Sequence, residues 1–233
     1  MTWELKRIIK ARLPFLVPPL RRFKTFASTR KPPRRLFTEI FNRNRWGDID
    51  SRSGPGSNLA QTEAVRRVLP DLLKELSCKR FLDVPCGDFF WMRTVKIEVE
   101  YIGADIVGEI VAQNQEKYGS EDRRFIDLDL LNDIPPRVDV VLCRDCLVHF
   151  STRHIRRAIK SIKDSGSTYL LTTTFIGRRS NEDIPTGSWR AINLELPPFN
   201  FPPPERLVNE ECPVDHQGDK HLGLWRIDDI PEF

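Results

Sequence analysis

The 233-residue chain is 39% hydrophobic and 30% charged, apolar enough to bury a core as one domain with extensions and too apolar for a disordered polymer. Its longest uncharged N-terminal run, Leu13–Leu20, holds three prolines and falls far short of the roughly 20 apolar residues that span a bilayer, so no membrane crossing is expected. Five cysteines (Cys78, Cys86, Cys143, Cys146, Cys212) form an odd set without the spacing of a small secreted scaffold. No cleavable signal sequence is read before them, so free thiols and a cytoplasmic location are expected.

Charge is unevenly distributed. Residues 1–35 carry eleven Lys/Arg against Glu4 alone, while the whole chain is only +4, so the N-terminus reads as a basic extension with its own partner. Trp3, Leu5, Ile8, Ile9 and Leu13 recur near helical spacing with Lys6, Arg7, Lys10 and Arg12 between them, predicting a short amphipathic helix that ends at Pro14. Such a helix can lie on an anionic membrane surface, dock on protein, or bind nucleic-acid phosphates. Membrane or protein is the expected use, which would place the chain at the inner face of a membrane. Residues 18–35, with four prolines and seven basic residues, read as a solvated, partly disordered linker, or together with the helix as a transit segment.

Leu36–Trp46 is expected to be a second short helix, broken at Gly47. The run Ser51-Arg52-Ser53-Gly54-Pro55-Gly56-Ser57 is either a flexible connection or a lid over a ligand; no Lys follows its glycines, which excludes a phosphate loop. Ser57 or Asn58 would cap a helix from Leu59, with Val65, Val68, Leu69, Leu72, Leu73 and Leu76 as its apolar stripe and Pro70 as a kink or division. Phe81 to Trp91 reads as strand, turn and helix, because Pro85 and Gly87 stop a short apolar run before a new one begins.

Val99–Asp105 is the expected second strand. Asp105 falls at its carboxyl end, 18 residues after Gly87, where doubly wound folds place an acid that accepts from ribose hydroxyls. A helix over Glu109–Lys117 follows, then a third strand, Phe125–Leu128, closed by Asp129. Val138–Cys143 is apolar enough for a central strand, and ligands of open α/β sheets bind beyond such strand ends, where Arg144, Asp145 and His149 lie. Cys143 and Cys146 are read as small buried hydrophobes, and no second pair has zinc-like spacing, so no metal is expected. Ser151 or Thr152 would cap a helix burying Ile155, Ala158, Ile159 and Ile162. His154 is read as a surface residue, and Thr168–Phe175 as the fifth strand. Residues 176–205 form a long polar, then proline-rich connection, read as a substrate wall carrying Trp189, Arg190 and Asn193. Arg206–Asn209 and Gly223–Ile227 would close the sheet as an antiparallel pair.

Asp83-Val84-Pro85-Cys86-Gly87 resembles the first motif of class I S-adenosylmethionine-dependent methyltransferases, D/E-x-G-x-G-x-G, with Pro85 and Phe89 in place of two glycines. The longer run Asp83 to Met92, Asp-x-Pro-Cys-Gly-Asp-x-x-Trp-Met, is similar to a narrower subfamily of these enzymes, as are Ser-Gly-x-Gly-Ser ahead of the motif and the later Trp-Arg-x-x-Asn-Leu. The resemblance covers residues 36–233. It implies a Rossmann-like, doubly wound α/β fold with a mostly parallel seven-stranded sheet and an antiparallel C-terminal strand. It further implies S-adenosyl-L-methionine held by Asp83, Pro85, Cys86, Gly87, Asp105, Asp129 and Arg144. Asp129 is preferred to Asp127 as the partner of the adenine amino group. Because an oxygen nucleophile must lose a proton, Asp145 and His149 are the candidate bases, with His221 a third. The expected reaction is O-methylation of a small molecule or glycan of the kind found in surface polysaccharides. RNA methylation and a non-catalytic adenosyl-binding module are the alternatives. Nucleic acid is the less expected acceptor, because no Asn/Asp-Pro-Pro-Tyr motif stands at Cys143–Cys146.

Overall fold

The computed structural model describes residues 31–233; the amphipathic helix expected over residues 3–13 and most of the linker lie outside them. Among the described residues, four α-helices and seven strands follow one another. They are α1 (Pro33–Asn42), α2 (Glu63–Glu75), β1 (Arg80–Asp83), β2 (Glu100–Asp105), α3 (Gly108–Tyr118), β3 (Arg123–Asp127), β4 (Val140–Cys143), α4 (Thr152–Asp164), β5 (Tyr169–Phe175), β6 (Arg206–Asn209) and β7 (Lys220–Arg226). The strands form one sheet of order β3-β2-β1-β4-β5-β7-β6. The first five run parallel, and β7 is antiparallel to both of its neighbours. This is the expected fold class.

The strands are apolar on both faces because both faces are covered. Side chains alternate as the pleat demands: Leu82, Ile102, Val141 and Leu170 enter one core with Ile155, Ala158, Ile159 and Ile162 of α4, while Phe81, Tyr101, Val140 and Leu171 enter the other with Val65, Leu69, Leu72 and Leu73 of α2. The order reverses between β1 and β4. Their carboxyl ends therefore open one crevice between chain segments that leave in opposite directions, the usual ligand position of such sheets.

Three local expectations differ from the structure. α2 starts at Glu63 rather than Leu59 and runs unbroken through Pro70; Asn58 instead closes the turn ahead of it, its Oδ1 accepting the Gln61 N–H at 2.9 Å. α1 begins at Pro33, three residues before Leu36, with proline at its first turn where the missing N–H costs nothing. Most consequentially, no α-helix follows β1, and the chain makes only a short 3-10 turn at Met92–Thr94.

Phe89 explains that absence. It adopts a left-handed backbone, φ +57°, which helix continuation forbids and which costs a residue with a Cβ energy. Its ring is buried between Tyr101, Tyr118 and Phe125 at centroid distances of 5.2, 5.2 and 5.1 Å. The aromatic cluster thus fills the space a helix would occupy. Phe89→Ala should therefore cost about 3–5 kcal/mol in urea unfolding; a loss under about 1 kcal/mol would mean the cluster does not hold this turn.

Candidate active site

The carboxyl ends of β1, β2 and β4, together with α1, the Ser51–Ser57 run and the Gly187–Trp189 segment, enclose a cavity of about 560 Å³. Its floor is acidic. Asp83 ends β1 and is 2% exposed, its Oδ2 accepting the Tyr101 hydroxyl at 2.7 Å. Burial pushes its carboxyl up to about 7. Asp105 ends β2, and its two oxygens accept the Gly87 N–H at 3.1 Å and the Val107 N–H at 2.9 Å. Burial outweighs those bonds and pushes it up to about 6. Asp105 thus caps the turn into α3 while pinning the loop after β1. Each oxygen keeps a lone pair for a ligand hydroxyl.

Pro85, Cys86 and Gly87 line the cavity beside these acids. Gly87 has φ +54°, and a Cβ there would overlap Ser53 Oγ. Glycine is required on both counts. Asp129 also lines the cavity and is buried, accepting the Leu131 N–H at 3.0 Å and the Asn132 amide at 2.6 Å. Asp127, its competitor, is half exposed and pairs with Arg34 at 2.6 Å outside the cavity.

The Ser51–Ser57 run is clamped over the cavity. Asp88 accepts the Ser51 hydroxyl at 2.9 Å and the Arg52 N–H at 2.8 Å, while its own N–H donates to Ser53 Oγ at 2.9 Å. From the other side, Arg144 Nη1 donates to the Gly56 carbonyl at 2.6 Å. A Cβ at Gly56 would lie 2.7 Å from Asp145 Oδ2, so the run approaches β4 as closely as backbone allows.

Behind this lid stands a buried group of four charges. Arg144 donates to Glu210 Oε2 through Nε at 3.0 Å and Nη2 at 2.6 Å. Lys220 Nζ reaches Asp145 Oδ2 at 2.6 Å and Glu210 Oε2 at 3.3 Å. Asp145 sits at φ +51°, held by its N–H to Thr173 Oγ1 at 2.8 Å. Burial would raise its carboxyl, but the Lys220 ammonium and Arg144 guanidinium beside it hold it down at about 2. His149 donates from Nδ1 to the Ser188 carbonyl at 2.8 Å, an assignment dictated by the acceptor, and its ring lies 5.1 Å from that of Trp46. Burial lowers its pKa, keeping the imidazole neutral with Nε2 as a proton acceptor.

Asp83, Pro85, Cys86, Gly87, Asp105, Asp129, Arg144, Asp145, His149 and Trp189 thus share one cavity. Arg190 and Asn193 do not line it. Arg190 Nη1 donates to the Leu147 and Val148 carbonyls at 3.0 Å each, and its Nε donates to the Glu182 carbonyl at 3.2 Å. Asn193 ties the Arg178 and Glu195 backbones together. Both brace the wall from behind, so neither is placed to touch a substrate. His221 donates from Nδ1 to the Asp219 carbonyl at 3.0 Å and lies outside the cavity. His154, expected at the surface, is partly buried with Nδ1 2.7 Å from Thr186 Oγ1. Trp91 also lines the cavity, with the Arg144 guanidinium 5.7 Å from its ring. Lys220, Glu210 and Trp46 were not among the expected site residues, because a Lys or Glu is rarely buried and nothing local marks one that is. The strand register was the available signal: pairing Asn209 with His221 sets Glu210 beside Lys220.

No protein-family model matches the chain, and no curated protein matches it. Among solved structures it is similar to the pyocyanin biosynthetic protein PhzM, at 14% identity and TM-score 0.53, covering 72% of this chain and 56% of that one. It is also similar to magnesium protoporphyrin IX methyltransferase from Synechocystis with bound SAH, at 18% identity and TM-score 0.42, covering 57% and 65%. A third is an O-methyltransferase family protein from Burkholderia thailandensis, at 18% identity and TM-score 0.35, covering 49% and 40%. In each case the chain spans less than two thirds of its neighbour. The likeness to the first shows the fold.

Asp83 gives the site a pH signature. Because its folded pKa is raised above the ordinary carboxylate value, the native state binds the extra proton between about pH 4 and 7. Stability is greatest on the acid side of that window and falls as pH rises through 7. Asp83→Asn keeps an acceptor for Tyr101 and should abolish this loss, stabilising the ligand-free protein at pH 8 by on the order of a few kcal/mol in urea unfolding relative to its effect at pH 5. Equal effects at both pH values would refute a raised carboxyl.

Proposed function

We propose that the chain is an S-adenosylmethionine-dependent methyltransferase acting on a hydroxyl of a small molecule or glycan. The observation that carries this reading is the cavity at the β1, β2 and β4 ends, where buried Asp105 accepts the Gly87 N–H and keeps lone pairs directed at a ribose-sized ligand. The residues fit that cofactor. Asp105 would take the ribose hydroxyls, Asp129 with Ile106, Leu128 and Leu130 the adenine, and Asp83 with the Gly87 loop the amino-acid end, whose positive charge suits an acidic floor. Membership of the Asp-x-Pro-Cys-Gly-Asp-x-x-Trp-Met subfamily is part of the proposal and rests on sequence pattern.

When bound, S-adenosylmethionine supplies a methyl group on a sulfonium. The chain supplies position and a proton acceptor. The clamped Ser51–Ser57 run excludes water from the crevice, and Asp88 and Arg144 hold it from both sides. His149, neutral and fixed by Ser188 and Trp46, takes the acceptor proton on Nε2. Asp145, kept ionised by Lys220 and Arg144, is too weak a base for that task and instead positions the acceptor molecule through its free oxygen. The basic residues 1–35 would hold the enzyme at an anionic membrane surface.

Calorimetry should give S-adenosylmethionine binding that Asp105→Ala weakens at least about tenfold, the loss of one or two charge-assisted hydrogen bonds. No binding by the native chain sinks the reading. With tritiated methyl donor and lysate fractions, label should enter a small-molecule or glycan fraction; label in RNA would replace the acceptor assignment. His149→Gln should then lower kcat by about 10²–10⁴-fold with cofactor affinity unchanged, and an unchanged kcat would exclude His149 as the base.

A further inference from the structure

Six charged side chains and one histidine line the cavity, and they divide by position. Asp83, Asp105 and Asp129 cluster where the cofactor is placed. Arg144, Asp145, Lys220 and His149 stand at the other end, together with Gln217, Val214 and Trp189. With Glu210, which both cations touch, Arg144, Lys220 and Asp145 form two formal positive and two formal negative charges in mutual contact. The acceptor end is therefore electrically balanced by itself.

That balance restricts what can enter. A carboxylate or phosphate would find each cavity cation at this end already matched by a buried carboxylate, and its own charge would lie uncompensated beside apolar walls. An ammonium would meet Asp145 only after two cations had taken its charge. A neutral polar group faces no such cost, and the hydrogen-bond inventory shows what it would find. Lys220 has three N–H donors, of which Asp145 Oδ2 engages one, while Glu210 Oε2 lies 3.3 Å away as an ion-pair partner. Asp145 Oδ2 receives Lys220 and Arg144, and its Oδ1 has no partner among the described residues. His149 Nε2 is likewise free of protein partners among them.

We infer, resting on the methyltransferase reading, that Lys220 and Asp145 form a paired donor and acceptor that reads two neighbouring hydroxyls of a neutral acceptor, with Trp189 as its stacking surface. One hydroxyl both donates to Asp145 Oδ1 and accepts from Lys220 Nζ, and its neighbour, so placed, gives its own proton to His149 Nε2 as the methyl–oxygen bond forms. Trp189 is 46% exposed at the cavity mouth and held edge-on by Phe175 at a centroid distance of 6.0 Å, so it offers an aromatic face to the apolar side of a sugar or aromatic ring. The substrate class is a neutral vicinal diol, carried on a pyranose or on a catechol ring. Lys220 is a specificity residue of the site.

The test uses the full chain saturated with S-adenosylhomocysteine, with saturation-transfer NMR reading the binding of single probes. Methyl glucopyranoside and methyl mannopyranoside represent the sugar source and catechol the aromatic one. Methyl glucuronide and glucosamine carry the excluded charges, and phenol and 3-hydroxytetrahydropyran carry a single hydroxyl. At least one neutral vicinal diol should bind about tenfold more tightly than its charged and mono-hydroxy counterparts, the value of one well-made hydrogen bond in such a site. Trp189→Ala, which leaves the buried charges intact, should weaken that probe severalfold. Lys220→Met, if it remains folded by circular dichroism, should remove the preference for the second hydroxyl. A charged probe that binds best, or binding by none of the probes while S-adenosylhomocysteine is bound, overturns the inference. Failure to bind S-adenosylhomocysteine overturns the methyltransferase reading instead.

Discussion

The Arg144 guanidinium joins the Gly56 carbonyl in the lid to Asp145 at the end of β4 and to Glu210 after β6, and Glu210 in turn meets the Lys220 ammonium that opens β7. Charges this deeply buried are tolerated only when matched and hydrogen-bonded, and removing one partner of such a set typically costs about 3–5 kcal/mol. The lid, the end of β4 and the β6–β7 pair must therefore adopt one mutual arrangement or leave a buried charge alone. The shape of the acceptor end follows from that requirement.

The end of the cavity at β1 and β2 obeys a different constraint. Asp105 joins the β1 loop to the β2 turn by accepting from Gly87 and Val107, and the tight approach of Ser53 fixes glycine at position 87. The loop gains its rigidity from these contacts and from the Phe89 cluster, in place of a following α-helix. Replacing two motif glycines with Pro85 and Phe89 goes with that change: the loop is held by side-chain packing as well as by backbone freedom.

Elements with a strong apolar period were legible in the sequence. β1, β2, β4 and β5 lie within two residues of where the apolar runs put them, since a run buried on both faces contrasts with the polar turns that bound it. α4 matches in cap and buried face, because Ser151 accepts from His154 and the isoleucines repeat at helical spacing. Pro70 does not divide α2, because tertiary burial of Leu69, Leu72 and Leu73 holds a helix that lacks one backbone donor. The helix after β1 misled because Phe89's left-handed backbone is dictated by Tyr101, Tyr118 and Phe125, two of which lie on other strands.

The sequence by itself determined the sheet, its parallel core and the acids at the ends of β1 and β2, because burial on two faces and an acid at a strand end are local patterns of residue type. Only the tertiary structure decided which polar residues face the cavity. Arg190 and Lys220 are both cations in polar surroundings along the chain, yet one is used to brace backbone carbonyls and the other lines the cavity. That difference arises from strand register and from the need to match Glu210 and Asp145, interactions between residues as far as 75 positions apart, which no local pattern encodes.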